Sequence, residues 1–139
     1  MHLFQGTHIF GEIYGVDPSL LRDSFFLKEH LSKGIDASGA TLCGMQIKEF
    51  ESGGITILAL LAESHASIHS YPEYGSLFFD AFTCGNLCNP HRISEHLLEA
   101  LQARSHKVEV HYRGNHLDQS KEFHIPSSSG TPFCTEPAV

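Results

Sequence analysis

The order strand, Asx-Pro, helix, strand occurs twice in this chain, and it restricts the possible folds more than any other feature. The two dipeptides are Asp17-Pro18 and Asn89-Pro90. Such a dipeptide is typical of a helix start, because the Asx side chain caps free backbone N–H groups and proline suits the first helical turn. Apolar residues at helical spacing follow both dipeptides. We expect the first helix to end at Gly34, since glycine commonly closes a helix.

The other apolar segments have the alternation or the β-branched content of strands, and short turns join them. Ile55–Leu61 is almost wholly apolar, so we expect this strand to be buried on both faces. The pattern predicts an α+β fold, a two-layer α/β sandwich in which two helices lie on one face of an antiparallel sheet built from two similar β-α-β halves. The strands are predicted at 7–14, 40–50, 55–61, 65–71, 75–82 and 107–113.

The chain has the length and composition of one domain. Its 139 residues are enough for a substantial core, and we place the domain at 1–126. The segment 127–139 is rich in serine and proline, so it is expected to be a flexible tail. The open face of the sheet needs a cover, and a second copy of the chain is the simplest one.

Charge and hydropathy exclude several classes of partner. The formal net charge of −7 argues against nucleic acid and anionic membranes, which need a cationic surface. No apolar run reaches the roughly 18 residues that span a bilayer, and no signal-peptide pattern is evident at the start. The four cysteines are therefore interpreted as reduced thiols, and a cytoplasmic location is expected.

The densest polar stretch, from Glu63 to Glu73, directly follows the predicted buried strand. Loops and strand ends are where binding and catalytic groups concentrate. Strand periodicity predicts that His65, Ser67 and His69 share one face, with the intervening side chains on the other. This stretch is the candidate functional site.

The motif Glu63-Ser64-His65-x-x-Ile68-His69-x-Tyr71-Pro72-Glu73, followed by Gly75 and Phe82-Thr83-Cys84-Gly85, resembles the bacterial and archaeal S-adenosylmethionine decarboxylase proenzymes. A weaker resemblance extends over roughly residues 6–126. It implies a pyruvoyl enzyme that cuts itself between Glu63 and Ser64, giving pieces 1–63 and 64–139. Ser64 would become the covalent pyruvoyl cofactor, which forms a Schiff base with the substrate amine and takes up the charge left by decarboxylation.

The resemblance also implies roles in self-cleavage and catalysis. His69 matches the histidine that assists cleavage, a task suited to imidazole. Cys84 matches the proton donor that acts after carbon dioxide leaves. Thr56 stands where a serine hydroxyl commonly helps processing, and its extra methyl group stiffens the side chain, so slower cleavage is expected.

Substrate binding is implied at three further positions. Phe50 and Tyr71 match aromatic residues that sandwich an adenine, and Glu73 matches a carboxylate that binds ribose hydroxyls. Glu12 resembles an acidic family position on the first strand. The implied protein is a homodimer of cleaved pairs that decarboxylates S-adenosylmethionine and supplies aminopropyl groups for spermidine synthesis.

Three alternatives stay open at this point. The same pyruvoyl chemistry could act on another amine, such as ornithine or arginine. A zinc site could form from Cys84, Cys88 and His91, with His65 and His69 nearby in sequence, although the spacing lacks a tight cysteine pair and no metal is expected. A non-processing relative that regulates an active partner is the third alternative.

Overall fold

The computed structural model describes residues 4–85 and 87–114 as one sheet with helices on one side. The sheet has six strands in the order β2-β3-β4-β5-β1-β6, and all neighbouring strands are antiparallel. The expected tail at 127–139 lies outside the described residues. The elements are β1 Gln5–Tyr14, α1 Pro18–Leu21, α2 Ser24–Ser38, β2 Leu42–Glu49, β3 Ile55–Leu61, β4 Ser64–Tyr71, a 3₁₀ turn Pro72–Tyr74, β5 Ser76–Cys84, α3 His91–Leu101 and β6 Ser105–Gly114.

The predicted fold class is confirmed. The connections from β1 to β2 and from β5 to β6 both follow the predicted order of Asx-Pro, helix and strand. Both connections place their helices on the same face of the sheet. One apolar core lies between the helices and the sheet. Burial of this surface is the main favourable term in folding. Its largest fully buried side chains include Ile9, Ile13, Leu27, Leu31, Ile57, Ile68, Leu77, Ile93 and Leu97.

The predicted first helix is wrong in its length and its end. Asp17 caps a single turn by accepting from the Ser19 N–H at 2.9 Å, and Asp23 then caps a second helix by accepting from the Phe26 N–H at 3.0 Å. The chain passes through Gly34 and ends the helix at Gly39, whose φ of 84° suits glycine. Gly34 instead permits close packing, because a Cβ there would lie 3.2 Å from the Cα of Ile93.

The prediction that Ile55–Leu61 is buried on both faces is also wrong for the single chain. Ile57 and Ala59 point into the core, whereas Leu58 and Leu60 are 49% and 63% exposed. The physical reason is that the helices cover one face of the sheet, so successive side chains alternate between core and open surface. The helix-free face thus carries two exposed leucines next to the polar stretch of β4.

A pair of histidines joins the two long helices. His30 on α2 and His96 on α3 approach to 3.0 Å between Nδ1 and Nε2, with the rings stacked at 5.3 Å. Burial lowers the pKa of His30, and the charges of His96 and Lys33 lower it further. One ring nitrogen must be unprotonated to accept the hydrogen bond, so this contact needs at least one neutral imidazole.

Acid should therefore weaken the packing of α2 against α3. Because the pKa of His30 is lower when folded, the unfolded chain binds more protons, and the free energy of unfolding falls as the pH drops below about 6.5. The His30→Gln variant should lose less stability than the wild type between about pH 7.5 and 5.5 in denaturant titrations. His106→Gln, at an exposed position of β6, is the control for removing a histidine. Equal losses in wild type and His30→Gln would contradict this assignment.

Candidate active site

The polar residues of β4 lie on the helix-free face of the sheet. Ala66 and Ile68 are buried in the core. The residues that alternate with them, His65, Ser67 and His69, therefore project from the opposite face, as predicted. The sequence-predicted site residues are not gathered in one place on this face. They fall into two groups at opposite ends of β4.

The first group surrounds the peptide bond between Glu63 and Ser64. The turn at Ala62 and Glu63 joins β3 to β4, and the Cys84 N–H donates to the Glu63 carbonyl oxygen at 3.0 Å. The Glu63 side chain accepts from the Thr41 N–H at 2.7 Å. Ser64 has a φ of 150°, a conformation that costs a non-glycine residue about 1–3 kcal/mol. In this peptide, Ser64 therefore has a strained backbone, and Glu63 is held by hydrogen bonds through its carbonyl and its side chain.

A cavity of about 280 Å³ opens beside Cys84. Phe4, Phe82 and Arg113 contribute to its lining, and the Arg113 guanidinium lies 5.0 Å from the centre of the Phe82 ring. The Cys84 side chain is exposed here. The sequence did not predict that Phe4 lines this cavity. Phe4 comes close to Cys84 through the pairing of Gly6 with Cys84 across β1 and β5, and such long-range strand pairing is not visible in local sequence.

The second group lies at the other end of β4. The Thr56 hydroxyl and His69 Nδ1 are 3.0 Å apart on paired positions of β3 and β4. Phe50, in the hairpin after β2, is 49% exposed, and Tyr71 packs its ring 4.8 Å from that of Phe78. Glu73 is exposed in the 3₁₀ turn that follows. These residues thus lie at or just beyond the same end of β4, where His69 is half-buried and Phe50, Tyr71 and Glu73 are exposed.

Glu12 belongs to the second end by register. It pairs with Phe78 across β1 and β5, and its carboxylate accepts a hydrogen bond from the Tyr14 hydroxyl at 2.7 Å. That hydrogen bond raises the pKa of Tyr14. The structure therefore gives Glu12 a local partner on its own strand.

Ser64 and His69 are too far apart to exchange a proton within one chain. His69 is five positions after Ser64 along β4, and a rise of about 3.3 Å per residue puts their Cα atoms roughly 16 Å apart. A general base must lie within hydrogen-bond reach of the proton that it takes. His69 of the same chain does not meet that requirement at Ser64.

A hydrogen-bonded network that sequence analysis did not assemble lies beside Ser64. Asp80 on β5 is 3.0 Å from Nε2 of His8 on β1 and 3.0 Å from Nε2 of His65 on β4, and it also accepts from the Ser67 hydroxyl. Burial alone would raise the pKa of Asp80, but these hydrogen bonds outweigh burial and lower it. The carboxylate is thus held in its ionised form. An alternating His-x-Ser pattern was the only signal in the sequence.

The cysteine set considered for zinc is not brought together in the described part of the chain. There, the groups close enough to share an ion belong to His8, His65 and Asp80, whose ligand atoms lie within 4.8 Å of one another. An ionised carboxylate only accepts hydrogen bonds, so both Nε2 atoms that contact it carry protons. As hydrogen-bonded in this structure, the three side chains form a proton network. Cys88 lies apart from it, and burial followed by the charge of Glu63 raises the pKa of its thiol.

Comparison with known proteins gives one consistent result. A sequence model described as S-adenosylmethionine decarboxylase matches residues 7–114. The chain is 39% identical over 109 residues to S-adenosylmethionine decarboxylase proenzyme 2 of Bacillus cereus, covering 78% of this chain and 89% of that one. It is 42% identical over 103 residues to the S-adenosylmethionine decarboxylase proenzyme of a Synechococcus species, covering 74% and 80%.

The fold has a solved counterpart as well. The crystal structure of the adenosylmethionine decarboxylase from Aquifex aeolicus aligns with a TM-score of 0.76 at 29% identity, covering 86% of this chain and 99% of that chain. Among the described residues, no helix is long and apolar enough to cross a membrane.

Proposed function

The chain belongs to the S-adenosylmethionine decarboxylase family, and we propose that it is a self-processed, pyruvoyl-dependent carboxy-lyase acting on S-adenosylmethionine. The observation that carries this proposal is the Glu63-Ser64 peptide, with its carbonyl hydrogen-bonded by the Cys84 N–H and its serine in a strained conformation. An ordinary turn would need neither feature. The proposed product would supply aminopropyl groups for spermidine synthesis, and the expected cytoplasmic location stays a prediction.

Self-cleavage would begin with attack of the Ser64 hydroxyl on the Glu63 carbonyl carbon. The Cys84 N–H already points at the oxygen that becomes negative in this step, which is how an oxyanion hole acts. The C–N bond then breaks as its nitrogen takes a proton, giving an ester and a free amine. Loss of the Ser64 Cα proton expels the Glu63 carboxylate, and water replaces the nitrogen, which leaves as ammonia.

The residues around Ser64 fit the pyruvoyl group that this sequence of steps would leave. A pyruvoyl group supplies the electron sink that decarboxylation needs and side chains lack. Cys84, which is exposed and lines the cavity together with Phe82, would give a proton to the substrate carbon. The adjoining aromatic rings would help to exclude water from that proton transfer.

The intact mass of the purified protein tests self-cleavage directly. The wild type should give two pieces that meet between Glu63 and Ser64, the second lighter by one ammonia than the unmodified sequence. Ser64→Ala should give a single uncut chain without decarboxylase activity, because the attacking hydroxyl is gone. Ser52→Ala, at an exposed turn, should be cut like the wild type. Cleavage of Ser64→Ala at this bond would refute the mechanism.

We also propose that each active site is shared between two copies of the chain. The groups around Ser64 and around His69 lie at opposite ends of β4 on the same open face. A second copy packed on this face, with a two-fold axis that runs across the strands near the middle of β4, would bring Ser64 of one chain toward His69 of the other. Leu58 and Leu60 on this face are the apolar surface that such a dimer would bury.

Mixing two inactive variants distinguishes a shared site from a site within one chain. Ser64→Ala and His69→Ala chains are co-expressed with different tags. Random assembly makes half of the dimers mixed, each with one complete site of two, so a shared site should restore about a quarter of the wild-type activity. The His69→Ala chain should then be the one that is cut.

The double variant Ser64→Ala/His69→Ala, co-expressed with the wild type, is the matched control. It should lower the activity per wild-type chain, because every mixed dimer lacks a complete site. Absence of any recovery in the first mixture, together with full wild-type activity in the control, would place the site within one chain.

The second end of β4 supports a nucleoside-bearing substrate over a simple amino acid. Phe50 and Tyr71 present aromatic surface suited to an adenine, and the exposed Glu73 carboxylate can accept from ribose hydroxyls. Decarboxylation of an amine such as ornithine or arginine would leave these groups without a partner. S-adenosylmethionine also carries a positive sulfonium, which aromatic faces attract.

Removal of one charge at this end tests the substrate assignment. Glu73→Gln should raise the KM for S-adenosylmethionine about tenfold or more, because a hydrogen bond to a charged group contributes about 1.5–3 kcal/mol. Carbon dioxide release from carboxyl-labelled S-adenosylmethionine, ornithine and arginine is measured in parallel. Glu99→Gln, exposed on α3 in the helix layer, should leave KM unchanged. Faster release from ornithine or arginine than from S-adenosylmethionine would favour the alternative substrate.

A further inference from the structure

Ser64, His65 and Asp80 form a continuous chain of hydrogen bonds on the helix-free face. The Ser64 hydroxyl is 3.1 Å from His65 Nδ1, and His65 Nε2 is 3.0 Å from the Asp80 carboxylate. Side chains of neighbouring strand residues normally point to opposite faces. The unusual φ of Ser64 is what allows its hydroxyl to reach the next residue's ring.

The positions of the protons in this series of hydrogen bonds follow from the Asp80 carboxylate. Asp80 also accepts from the Ser67 hydroxyl and contacts His8, and these interactions favour its ionised form. An ionised carboxylate accepts only, so His65 Nε2 carries a proton. In neutral His65 the other nitrogen, Nδ1, is then bare. In that tautomer the atom that faces the Ser64 hydroxyl can accept its proton, and the hydrogen bond to Asp80 favours this tautomer.

We propose that His65 is the base that takes the Ser64 hydroxyl proton in the first step of self-cleavage, and that Asp80 is the residue that positions it. The proton moves from Ser64 Oγ to His65 Nδ1 as Oγ bonds to the Glu63 carbonyl carbon. His65 then returns the proton to the nitrogen of Ser64 as the C–N bond breaks, leaving the ester. This inference rests on the proposed self-cleavage.

His65 meets the distance requirement that His69 of the same chain does not. Its nitrogen lies within hydrogen-bond reach of Ser64 Oγ, whereas His69 is roughly 16 Å along β4. The His65 side chain is also 46% exposed in the single chain, so its base is present before any partner covers the face. His69 of a second copy stays available for the later loss of the Ser64 Cα proton.

The test measures where self-cleavage stops. Wild-type and His65→Gln chains are made by cell-free translation, and the uncut and cut forms are followed in time on denaturing gels. Hydroxylamine is added to half of each sample, because it cuts an ester at Ser64 but leaves a peptide bond intact. His65→Gln should be cut about 10²-fold more slowly. Its uncut chain should resist hydroxylamine, which shows a stop before the ester forms.

A matched histidine serves as the control. His111→Gln removes an imidazole from the same sheet face, one that stacks on Phe10 at 5.5 Å and lies outside this hydrogen-bond chain. It should be cut at the wild-type rate. Wild-type cleavage in His65→Gln, or a stalled His65→Gln chain that hydroxylamine cuts, would overturn the role of His65.

Asp80→Asn tests the positioning role through His65. This variant keeps the size of the side chain. Thermal melts of Asp80→Asn and His65→Gln establish that both variants fold. If Asp80 acts through His65, Asp80→Asn slows cleavage, and the double variant is no slower than His65→Gln alone. An additional slowing in the double variant would assign Asp80 a separate structural role. If His65→Gln does not fold, slow cleavage and hydroxylamine resistance of Asp80→Asn carry the test, and wild-type cleavage of Asp80→Asn overturns the proposal.

Failure of the underlying function gives a different result. Ser64→Ala is followed in the same experiment. Cleavage of Ser64→Ala between the same two residues would remove the proposed self-cleavage itself. An uncut Ser64→Ala with a normally cut His65→Gln would leave self-cleavage in place and remove His65 alone.

Discussion

The register of β4 between β3 and β5 is the constraint on which the rest of the structure depends. It pairs Ser64 with Leu61 on one side and with Thr83 on the other, so the Glu63-Ser64 peptide lies at the sheet end next to the Cys84 N–H. A slip of one residue would move Ile68 to solvent and His69 into the core. Burial of the apolar face therefore fixes the position of the Glu63-Ser64 peptide as well as the fold.

The same register explains why the open face is both polar and apolar. Asp80 falls between His8 and His65 because three neighbouring strands present alternate residues to one side. Leu58 and Leu60 follow the same alternation but have no helix to cover them. This face, with exposed leucines beside a polar network, is the one that the proposed second copy would cover.

The sequence predicts the layers of the fold and the family better than the connections between the layers. An apolar run located β3 and alternation located β4 closely, and Asp17 capped a helix as expected. Gly34 was mistaken for a helix end because nothing local distinguishes a capping glycine from one that admits a neighbouring helix. The sequence did not predict the hydrogen bonds that join Ser64, His65 and Asp80. The contact between His65 and Asp80 depends on strand pairing, and the contact between Ser64 and His65 depends on an unusual φ. Long-range register and local strain are the two properties that spacing does not encode.

If His65 acts in the acyl shift and His69 of a second copy acts in the loss of the Cα proton, self-cleavage would depend on dimer formation. His65 lies next to Ser64 in its own chain, so the proposed acyl shift would need no partner. An ester at Ser64 can return to the peptide, because the free amine stays beside it and the strain at Ser64 is modest. Only the loss of the Cα proton is irreversible, and His69 of the same chain is too distant for it. A lone chain would then pass between peptide and ester without breaking, and a paired chain would be cut.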